Sequence, residues 1–381
     1  MKALRIGIDA SGIAGGQEAT GLQRYTACLI KYLVAFAEAE NIELFLYFTR
    51  PVRPAAKQPG QLLASLMGDA RVHWRTAPFE RGWYRLFMGL AMQRDRLDLF
   101  HFPAPLMSGY CPVPSTVTFH DLAAASLSGP QTEKERRYLP AALDAGKRAT
   151  TLIAVSQSAG QEVSRSLGRS DVQVILEGVD LAQFRPSPEN ATEIKQRYGL
   201  DRYILCVGTL QTRKNHLGLI QAFAQIADQV PHTLVIAGRD GSGAEEIRQY
   251  LQAHPDLRVQ LIGYVEDSLL PALYSGADAL ALPSLWEGFG LPLIEAMACG
   301  TPVLTSNVSS LVEIGGDAVL LVDPQNVDEI AHKLQKLLTD QALRAKLIEA
   351  GFVRARSMSW ETAAKQTIDV YRRTVELAAK K

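Results

Sequence analysis

The chain has 381 residues, 47% of them hydrophobic, which is enough to bury two cores rather than one. Its 40 basic and 40 acidic side chains balance, so it lacks the positive excess that favours nucleic-acid partners. No apolar run approaches the roughly 20 residues of a membrane-spanning helix, and the opening MKALRIGIDASG predicts a strand and a loop rather than a signal peptide. The four scattered cysteines are typical of buried thiols in a reducing compartment, so we expect a cytoplasmic protein.

The first half alternates short apolar runs with helical patterns. Leu4–Asp9 predicts a buried strand, and a helix at about 22–37 follows a loop that contains Gly15 and Gly16. The glycines of this loop do not match G-x-G-x-x-G, which disfavours a dehydrogenase. Further strands are predicted at 42–48, 97–102, 115–119 and 152–155. Strands that alternate with helices indicate a parallel sheet in an α/β fold.

His120 and Asp121 come directly after the predicted strand at 115–119. Open parallel sheets bind ligands at the carboxyl ends of their strands. His120 is therefore a candidate site residue, and Asp121 could orient it or balance its charge. A purely structural histidine is the alternative.

Residues 71–96 carry six arginines against two acids, with Trp83, Tyr84 and Phe87 interleaved. An amphipathic basic helix with aromatic side chains can lie on an anionic membrane surface. The alternative is a helix that packs on the core and exposes a basic side.

The Pro-rich stretch F-R-P-S-P predicts an interdomain linker, which divides the chain into domains 1–185 and 186–381.

The second half begins with a predicted strand at 203–207, followed by G-T-L-Q-T-R-K-N and a helix at about 217–229. Arg213 and Lys214 precede this helix and could clamp a diphosphate, Arg through its fork and Lys as a point charge. A solvated loop is the alternative. Further strands are predicted at 234–237 and 259–262.

The segment E-G-F-G-L-P-L-I-E-A-M-A-C-G begins at Glu287, between apolar runs at 277–282 and 301–305. It predicts strand, glycine loop, helix and strand, because Pro292 suits the first helical position and Gly300 suits a helix end. The free N–H groups at the helix start favour an anion such as a phosphate. Glu287 falls in the loop and Glu295 in the first helical turns, so the two acids should have different roles, unless both are surface charges.

These two glutamates, with seven residues between them in that setting, resemble the donor-site signature of glycosyltransferase family 4, whose members are retaining enzymes of the GT-B architecture. The resemblance covers nearly the whole chain. It implies an α/β protein with two Rossmann-like domains facing across a cleft, and a C-terminal helix after Trp360 that crosses back to the first domain.

The resemblance also implies roles for particular residues. Arg213 and Lys214 would stabilise the leaving diphosphate, Glu295 would bind ribose hydroxyls, and Glu287 would position the transferred sugar. His120, with Asp121 beside it, would line the reacting face from the first domain. Further donor contacts are implied at Gly15, Gly16, Gly208, Thr209, Tyr264, Val265, Gly288, Phe289, Gly290 and Leu291.

The chain departs from the family pattern at two positions. Thr209 stands where the family has an arginine directly after the glycine, and Arg213 is a candidate replacement. Glu177 stands where the family usually has the asparagine of Asn-Gly-Val-Asp.

The function implied is transfer of a hexose, with retention, from a nucleotide diphosphate sugar to a saccharide or lipid-linked acceptor in cell-surface polysaccharide synthesis. The Gly-Thr…Arg-Lys-Asn form resembles O-antigen mannosyltransferases, which favours GDP-mannose. A GT-B nucleotide-sugar epimerase and a non-catalytic nucleotide-sugar-binding scaffold are the alternatives. The sequence has no Asp-x-Asp and no His/Cys cluster, so we expect a metal-independent enzyme without a cofactor.

Overall fold

The computed structural model describes residues 2–13, 20–49, 69–77, 87–107, 109–122 and 133–380. The chain divides into two compact units, Met1–Glu177 with Trp360–Lys381, and Gly178–Ser359. Each unit contains one parallel sheet with helices, which confirms the α/β architecture with two Rossmann-like domains.

The division falls at Glu177, whereas the sequence suggested residue 185. The Pro-rich segment belongs to the second unit because its groups pair there. The Ser187 amide donates to the Ser275 hydroxyl, and the Gln183 side chain donates to the Asp267 carbonyl. Phe184 is buried in the same unit.

The sheet of the first unit has seven parallel strands in the order β3-β2-β1-β4-β5-β6-β7. They are β1 Leu4–Asp9, β2 Ile42–Phe48, β3 Val72–Thr76, β4 Leu99–Phe102, β5 Ser115–Phe119, β6 Thr151–Ala154 and β7 Val172–Val174. Most residues of β2, β4, β5 and β6 are buried, as expected of a parallel sheet covered on both faces.

Among the described residues of the first part of this unit, the helices are α1 Gly21–Ala37, α2 Met88–Arg94, α3 Glu133–Arg148 and α4 Gln157–Leu167. Thr20 and Gln23 form a capping box at the start of α1, because each side chain accepts from the backbone N–H of the other residue. Leu29, Ile30 and Leu33 recur at helical spacing and form the buried side of α1.

The predicted single basic helix over residues 71–96 is wrong. Val72–Thr76 is strand β3, which pairs with β2, and α2 covers only Met88–Arg94. Residues 78–86, which contain two of the predicted aromatic side chains, lie outside the described residues. Arg75 points to Asp95, with 2.6 Å between Nε and Oδ2, so this arginine is neutralised rather than presented to solvent as part of a basic surface.

The sheet of the second unit has six parallel strands in the order β10-β9-β8-β11-β12-β13. They are β8 Tyr203–Val207, β9 Thr233–Ala237, β10 Val259–Gly263, β11 Ala279–Leu282, β12 Val303–Ser306 and β13 Val319–Val322. The helices are α5 Pro188–Tyr198, α6 His216–Ile226, α7 Ala244–Ala253, α8 Leu270–Ser275, α9 Leu291–Ala298, α10 Ser309–Gly315, α11 Val327–Thr339 and α12 Gln341–Ser357.

The last helix, α13 Trp360–Ala379, belongs to the first unit and packs against α1. Tyr371 on α13 is fully buried there. Within the part of the chain that the structure describes, none of the helices is both long and apolar enough to cross a membrane.

Candidate functional site

The strand order of the second unit creates a topological switch point between β8 and β11. The chain leaves β8 toward β9 on one side, and leaves β11 toward β12 on the other. Ligands of open α/β sheets bind in the crevice at such a point, outside the carboxyl ends of the strands. Arg213 and Lys214 follow β8, and Glu287 follows β11, so the structure brings together at this point three residues that the sequence analysis selected.

The two cations share one buried carboxylate. Lys214 Nζ donates to Glu287 Oε1 at 2.6 Å, and Arg213 Nη1 donates to Oε2 at 3.0 Å. The hydroxyl of Ser284 also donates to Oε1, at 3.0 Å. Burial raises the pKa of Glu287, but the charges and hydrogen bonds of Lys214 and Arg213 outweigh it and hold this pKa at about 2. The cluster therefore carries one excess positive charge at neutral pH.

The neighbouring His216 does not add to this charge. Its side chain is buried at the start of α6. Burial and the charge of Lys214 lower its pKa to about 4, so the imidazole is neutral at pH 7. The positive excess is therefore carried by Arg213 and Lys214.

Asn215 fastens the loop after β8 to the loop after β11. Its backbone is in the left-handed region, with φ of 55°, and its side-chain amide donates to the carbonyls of Pro283 and Pro324. The Leu285 amide also donates to the Arg213 carbonyl at 2.7 Å. These bonds fix the two loops relative to each other and thereby fix the distance between the cations and Glu287.

Two serines of α10 hold the loop that carries Glu287. The Glu287 amide donates to the Ser309 hydroxyl at 3.1 Å. The Ser310 hydroxyl lies 2.9 Å from the carbonyl oxygens of both Glu287 and Phe289. Ser284, Asn215 and these serines were not selected from the sequence, because single polar residues in loops carry no signal of their partners.

Glycine is required at Gly208 and Gly290. Gly208 has φ of 152°, and a Cβ there would lie 2.7 Å from Cδ of Lys214. Gly290 caps α9 with φ of 105°, and a Cβ there would meet Leu311 at 2.9 Å. Gly208 thus leaves the space through which Lys214 reaches Glu287, and Gly290 permits the turn into the helix. Leu291 begins that helix, while Gly288 and Phe289 are buried in the loop before it.

Glu295 lies within α9 and is only 2% exposed. The hydroxyl of Tyr274, from α8, donates to Glu295 Oε2 at 2.8 Å. This bond fixes the orientation of the carboxyl group. The structure therefore places the second acid on a different element from the first, in keeping with separate roles.

Tyr264 and Val265 follow β10 at the same edge of the sheet. Val265 is buried, and the guanidinium of Arg239, which follows β9, lies 5.1 Å from the centre of the Tyr264 ring. Thr209 is partly exposed, and its carbonyl accepts from the Gln211 amide. Arg239 is a further cation at this edge that the sequence analysis did not select.

In the first unit, His120 follows β5 as predicted. Its Nδ1 lies 3.0 Å from Glu177 Oε1, and its Nε2 lies 3.0 Å from the Pro103 carbonyl oxygen. The ring of Tyr25 stands edge-on to it at 4.6 Å between centres. The sequence suggested that Asp121 could orient His120 or balance its charge. The acid hydrogen-bonded to His120 is Glu177, 57 residues away in the chain, and the charge of Asp121 also raises the pKa of His120.

A second histidine links this region to the last helix. His101 on β4 is fully buried, with Nδ1 2.5 Å from the hydroxyl of Tyr371 and Nε2 2.8 Å from that of Thr118. The Thr118 hydroxyl lies 3.2 Å from the hydroxyl of Tyr25. Burial and the charge of His120 lower the pKa of His101 to about 3, so it is neutral. This chain of bonds anchors α13 on the sheet.

Two predicted residues, Gly15 and Gly16, lie outside the described residues. Among the residues that are described, no group of three acidic, histidine or cysteine side chains is arranged to hold a metal ion.

The two Rossmann-like units define the fold class as GT-B. An Anabaena protein solved with UDP and glucose, Alr3699/HepE, superposes with a TM-score of 0.75 at 22% identity, over 97% of this chain and 99% of the other. WaaG, a glycosyltransferase involved in lipopolysaccharide biosynthesis, superposes with a TM-score of 0.70 at 17% identity, over 97% and 99% of the two chains.

The chain belongs to glycosyltransferase family 4, as its sequence indicated. The model described as Glycosyltransferase Family 4 matches residues 19–183, and that described as Glycosyl transferases group 1 matches residues 189–354. O-antigen chain mannosyltransferase B of Escherichia coli is 30% identical over 93% of this chain and 96% of its own length. Serotype-specific mannosyltransferase WbdA of Escherichia coli is 32% identical over 60% of this chain but only 29% of its own length. The protein is therefore a hexosyltransferase.

Proposed function

We propose that the enzyme transfers mannose from GDP-mannose, with retention at the anomeric carbon, to a saccharide or lipid-linked acceptor in the synthesis of a cell-surface polysaccharide. The observation that carries the proposal is the Arg213–Lys214–Glu287 cluster at the switch point, which has one excess positive charge in a buried setting. The similarity to O-antigen chain mannosyltransferase B over nearly the full length of both proteins supports mannose.

The cluster suits a leaving diphosphate. As the bond between the sugar and the phosphate breaks, negative charge grows on the phosphate oxygens, and two fixed cations stabilise that charge without having to reorient. Glu287 holds both cations in place before the donor arrives. The carboxylate itself is proposed to position the transferred sugar, since a carboxylate accepts hydrogen bonds from hydroxyl groups.

The rest of the donor is assigned to the same edge of the sheet. Glu295, oriented by Tyr274, would accept from the ribose hydroxyls. The base would lie against the backbone at Tyr264 and Val265, with Arg239 stacked on the tyrosine ring. His120 of the first unit is proposed to contact the transferred sugar and the acceptor, with no covalent intermediate on the protein.

Peripheral contact with an anionic membrane is also proposed, as a route to a lipid-linked acceptor. In α2 and next to it, Phe87, Leu90 and Tyr110 expose apolar surface. Arg94 and Arg96 are exposed beside them. Apolar side chains with neighbouring cations favour insertion at an anionic lipid surface.

Anionic liposomes should therefore sediment the protein, and salt should weaken this binding because it screens surface charge. Replacing Phe87 and Leu90 by serine should reduce binding, and the matched replacement of the exposed Val353 and Leu377, in α12 and α13, should not. Equal sedimentation with neutral and anionic liposomes would argue against membrane contact.

The proposed reaction is tested by incubating the protein with a panel of labelled GDP-, UDP- and ADP-sugars, with and without saccharide and lipid-linked acceptors. Transfer from GDP-mannose to an acceptor, with the anomeric configuration of the donor kept in the product, is expected. An altered sugar released without acceptor would indicate an epimerase, and binding without turnover of any donor would indicate a scaffold. Faster transfer from another donor would correct the assignment of mannose.

A further inference from the structure

Both ring nitrogens of His120 face oxygen atoms that can only accept hydrogen bonds. The Pro103 carbonyl oxygen has no proton to give, and neither has the carboxylate of Glu177. Glu177 is buried, with only 3% of its surface exposed, so water does not take the place of His120 as its hydrogen-bond partner. His120 therefore has an acceptor at 3.0 Å on each side of the ring.

This arrangement fixes the number of protons that the His120–Glu177 pair holds. A neutral imidazole carries one N–H and one lone pair, so one of its nitrogens would point a lone pair at an oxygen lone pair. Two hydrogen bonds form only if the His120–Glu177 pair holds two protons. Imidazole is more basic than a carboxylate by about two pKa units, so both protons belong on the imidazole ring.

The other groups around His120 agree with a charged ring. Asp121 contributes a second negative charge nearby, and Tyr25, from α1, is held neutral because burial raises its pKa above the ordinary value. His101, from β4, stays uncharged, so it does not place a second positive charge near His120. Glu177 thus gives His120 a direct counter-charge, and Asp121 reinforces it.

We propose that Glu177 is a positioning residue that holds His120 as an imidazolium, so that His120 enters the transfer reaction as a fixed positive charge with both ring protons engaged, and not as a general base. The part that concerns transfer rests on the proposed function, which places His120 at the reacting sugar. The bond from the acceptor oxygen to the anomeric carbon forms as the bond to the diphosphate breaks. The proton of the acceptor hydroxyl then has to pass to a base other than His120, and the leaving diphosphate is one that the reaction supplies.

Glu177 also makes the protonation of His120 dependent on folding. Burial alone lowers the pKa of this imidazole, but the hydrogen bond and charge of Glu177, with the Pro103 carbonyl and Asp121, raise it above the ordinary value of about 6.5. A raised folded-state pKa stabilises the protein below the unfolded value, and this contribution is lost as pH rises through the folded value. Without the charge of Glu177, burial should have the larger effect on the pKa of His120 and should lower it.

The protonation state is tested by nuclear magnetic resonance of protein labelled with ¹⁵N at histidine, with His120→Gln used to assign the signals of His120. Wild-type His120 should show both ring nitrogens protonated at pH 7. In Glu177→Gln, which keeps the shape of the side chain, the titration midpoint should fall by at least about one unit, a tenfold change in proton affinity. Glu177→Asn is the second variant, in case the first does not fold.

Glu162→Gln is the matched control. It removes one charge from another buried carboxylate of the same unit, one that accepts from the Leu122 amide, and it should leave the His120 titration unchanged. A neutral His120 in the wild type at pH 7, or an equal midpoint in wild type and Glu177→Gln, would overturn the proposal. A proton found on Glu177 would do so as well.

The role in transfer has a separate readout. The activity of Glu177→Gln should fall as pH rises through the lowered midpoint of His120, and should approach the wild-type value at the acidic end of the range. Glu177→Asp, which keeps the charge, should restore part of the wild-type profile. A loss of activity that does not vary with pH would reject the role of the charge in transfer, whether or not the resonance data support the protonation state.

Discussion

Each unit places a cation against a buried carboxylate at the carboxyl edge of its parallel sheet, but the two pairs have different stoichiometry. In the second unit, Lys214 and Arg213 share Glu287, which leaves one positive charge in excess. In the first unit, His120 meets Glu177 one to one, so the pair is neutral. An excess charge suits a diphosphate, whereas a pair without net charge suits uncharged sugar hydroxyls.

In both units the acid is more deeply buried than its cationic partner. The carboxylate side chains are 8% exposed for Glu287 and 4% for Glu177, while Arg213 and His120 are 26% and 21% exposed. Each acid is therefore more deeply buried than Arg213 or His120, the cationic partner that it holds in place. The following predictions test this difference between a charged and a neutral pair.

The largest effect is expected at Lys214. Lys214→Ala should lower kcat by about 100-fold or more, because a fixed donor to a developing oxyanion contributes on this scale. Thr209→Ala, in the same loop, is the control and should change kcat by a much smaller factor. Steady-state transfer assays measure both. Equal losses in the two variants would mean that the charge of the cluster does not stabilise the leaving group.

Glu287→Gln and His120→Gln should separate transfer from nucleotide binding. Both variants should transfer sugar slowly, yet Glu287→Gln should bind the nucleoside diphosphate at least as well as the wild type, since its two cations lose their competing acid. Calorimetric titration measures the affinity for the nucleoside diphosphate, and turnover assays measure the rate of sugar transfer. A folded variant with normal turnover would remove that residue from the site.

Glu295→Ala should weaken binding of the nucleoside diphosphate by roughly 1.5–3 kcal/mol, because the ribose hydroxyls would lose a charged acceptor. Tyr274→Phe removes only the hydroxyl that orients Glu295, and its effect should be nearer 1 kcal/mol. Calorimetric titration distinguishes the two. Unchanged affinity in folded Glu295→Ala would rule out the ribose contact.

The free energy of unfolding, measured as a function of pH under acidic conditions, should reveal the ion pairs of Glu287. The folded pKa of Glu287, about 2, lies below its unfolded value of about 4.3, so its contribution is complete above pH 4.3 and is lost as pH falls toward 2. The shift corresponds to about 3 kcal/mol in the free energy of unfolding. Urea unfolding of wild type and Glu287→Gln between pH 2 and pH 6 measures it. Parallel pH curves for the two proteins would contradict the assigned ion pair.

The smallest effect is expected from chelation. Because the sequence has no Asp-x-Asp pair and two cations are available for the diphosphate, EDTA should leave the transfer rate nearly unchanged. Loss of transfer in EDTA, with recovery in Mn²⁺, would show that Arg213 and Lys214 do not replace a metal.

Much of the fold could be predicted from local sequence. The strands at Leu4–Asp9, Ile42–Phe48, Ser115–Phe119 and Tyr203–Val207 were predicted with the bounds that the structure shows. Buried parallel strands are short continuous apolar runs, and glycine or proline marks their ends. Strand β3 was missed because its pattern, V-H-W-R-T, is largely polar and its burial depends on the neighbouring β2.

The sequence by itself determined the family, the α/β class, the two cations and the two acids of the candidate donor site, because these residues lie in long contiguous motifs. Only the tertiary structure decided how they pair: Glu287 with both cations, Glu295 with Tyr274, and His120 with Glu177. The partners lie 21 to 74 positions apart. The pairs of Glu287 and of Glu177 meet because parallel strands bring their carboxyl ends, and the loops that follow, to one edge of the sheet, and no local pattern encodes which loop residues then come within bonding distance.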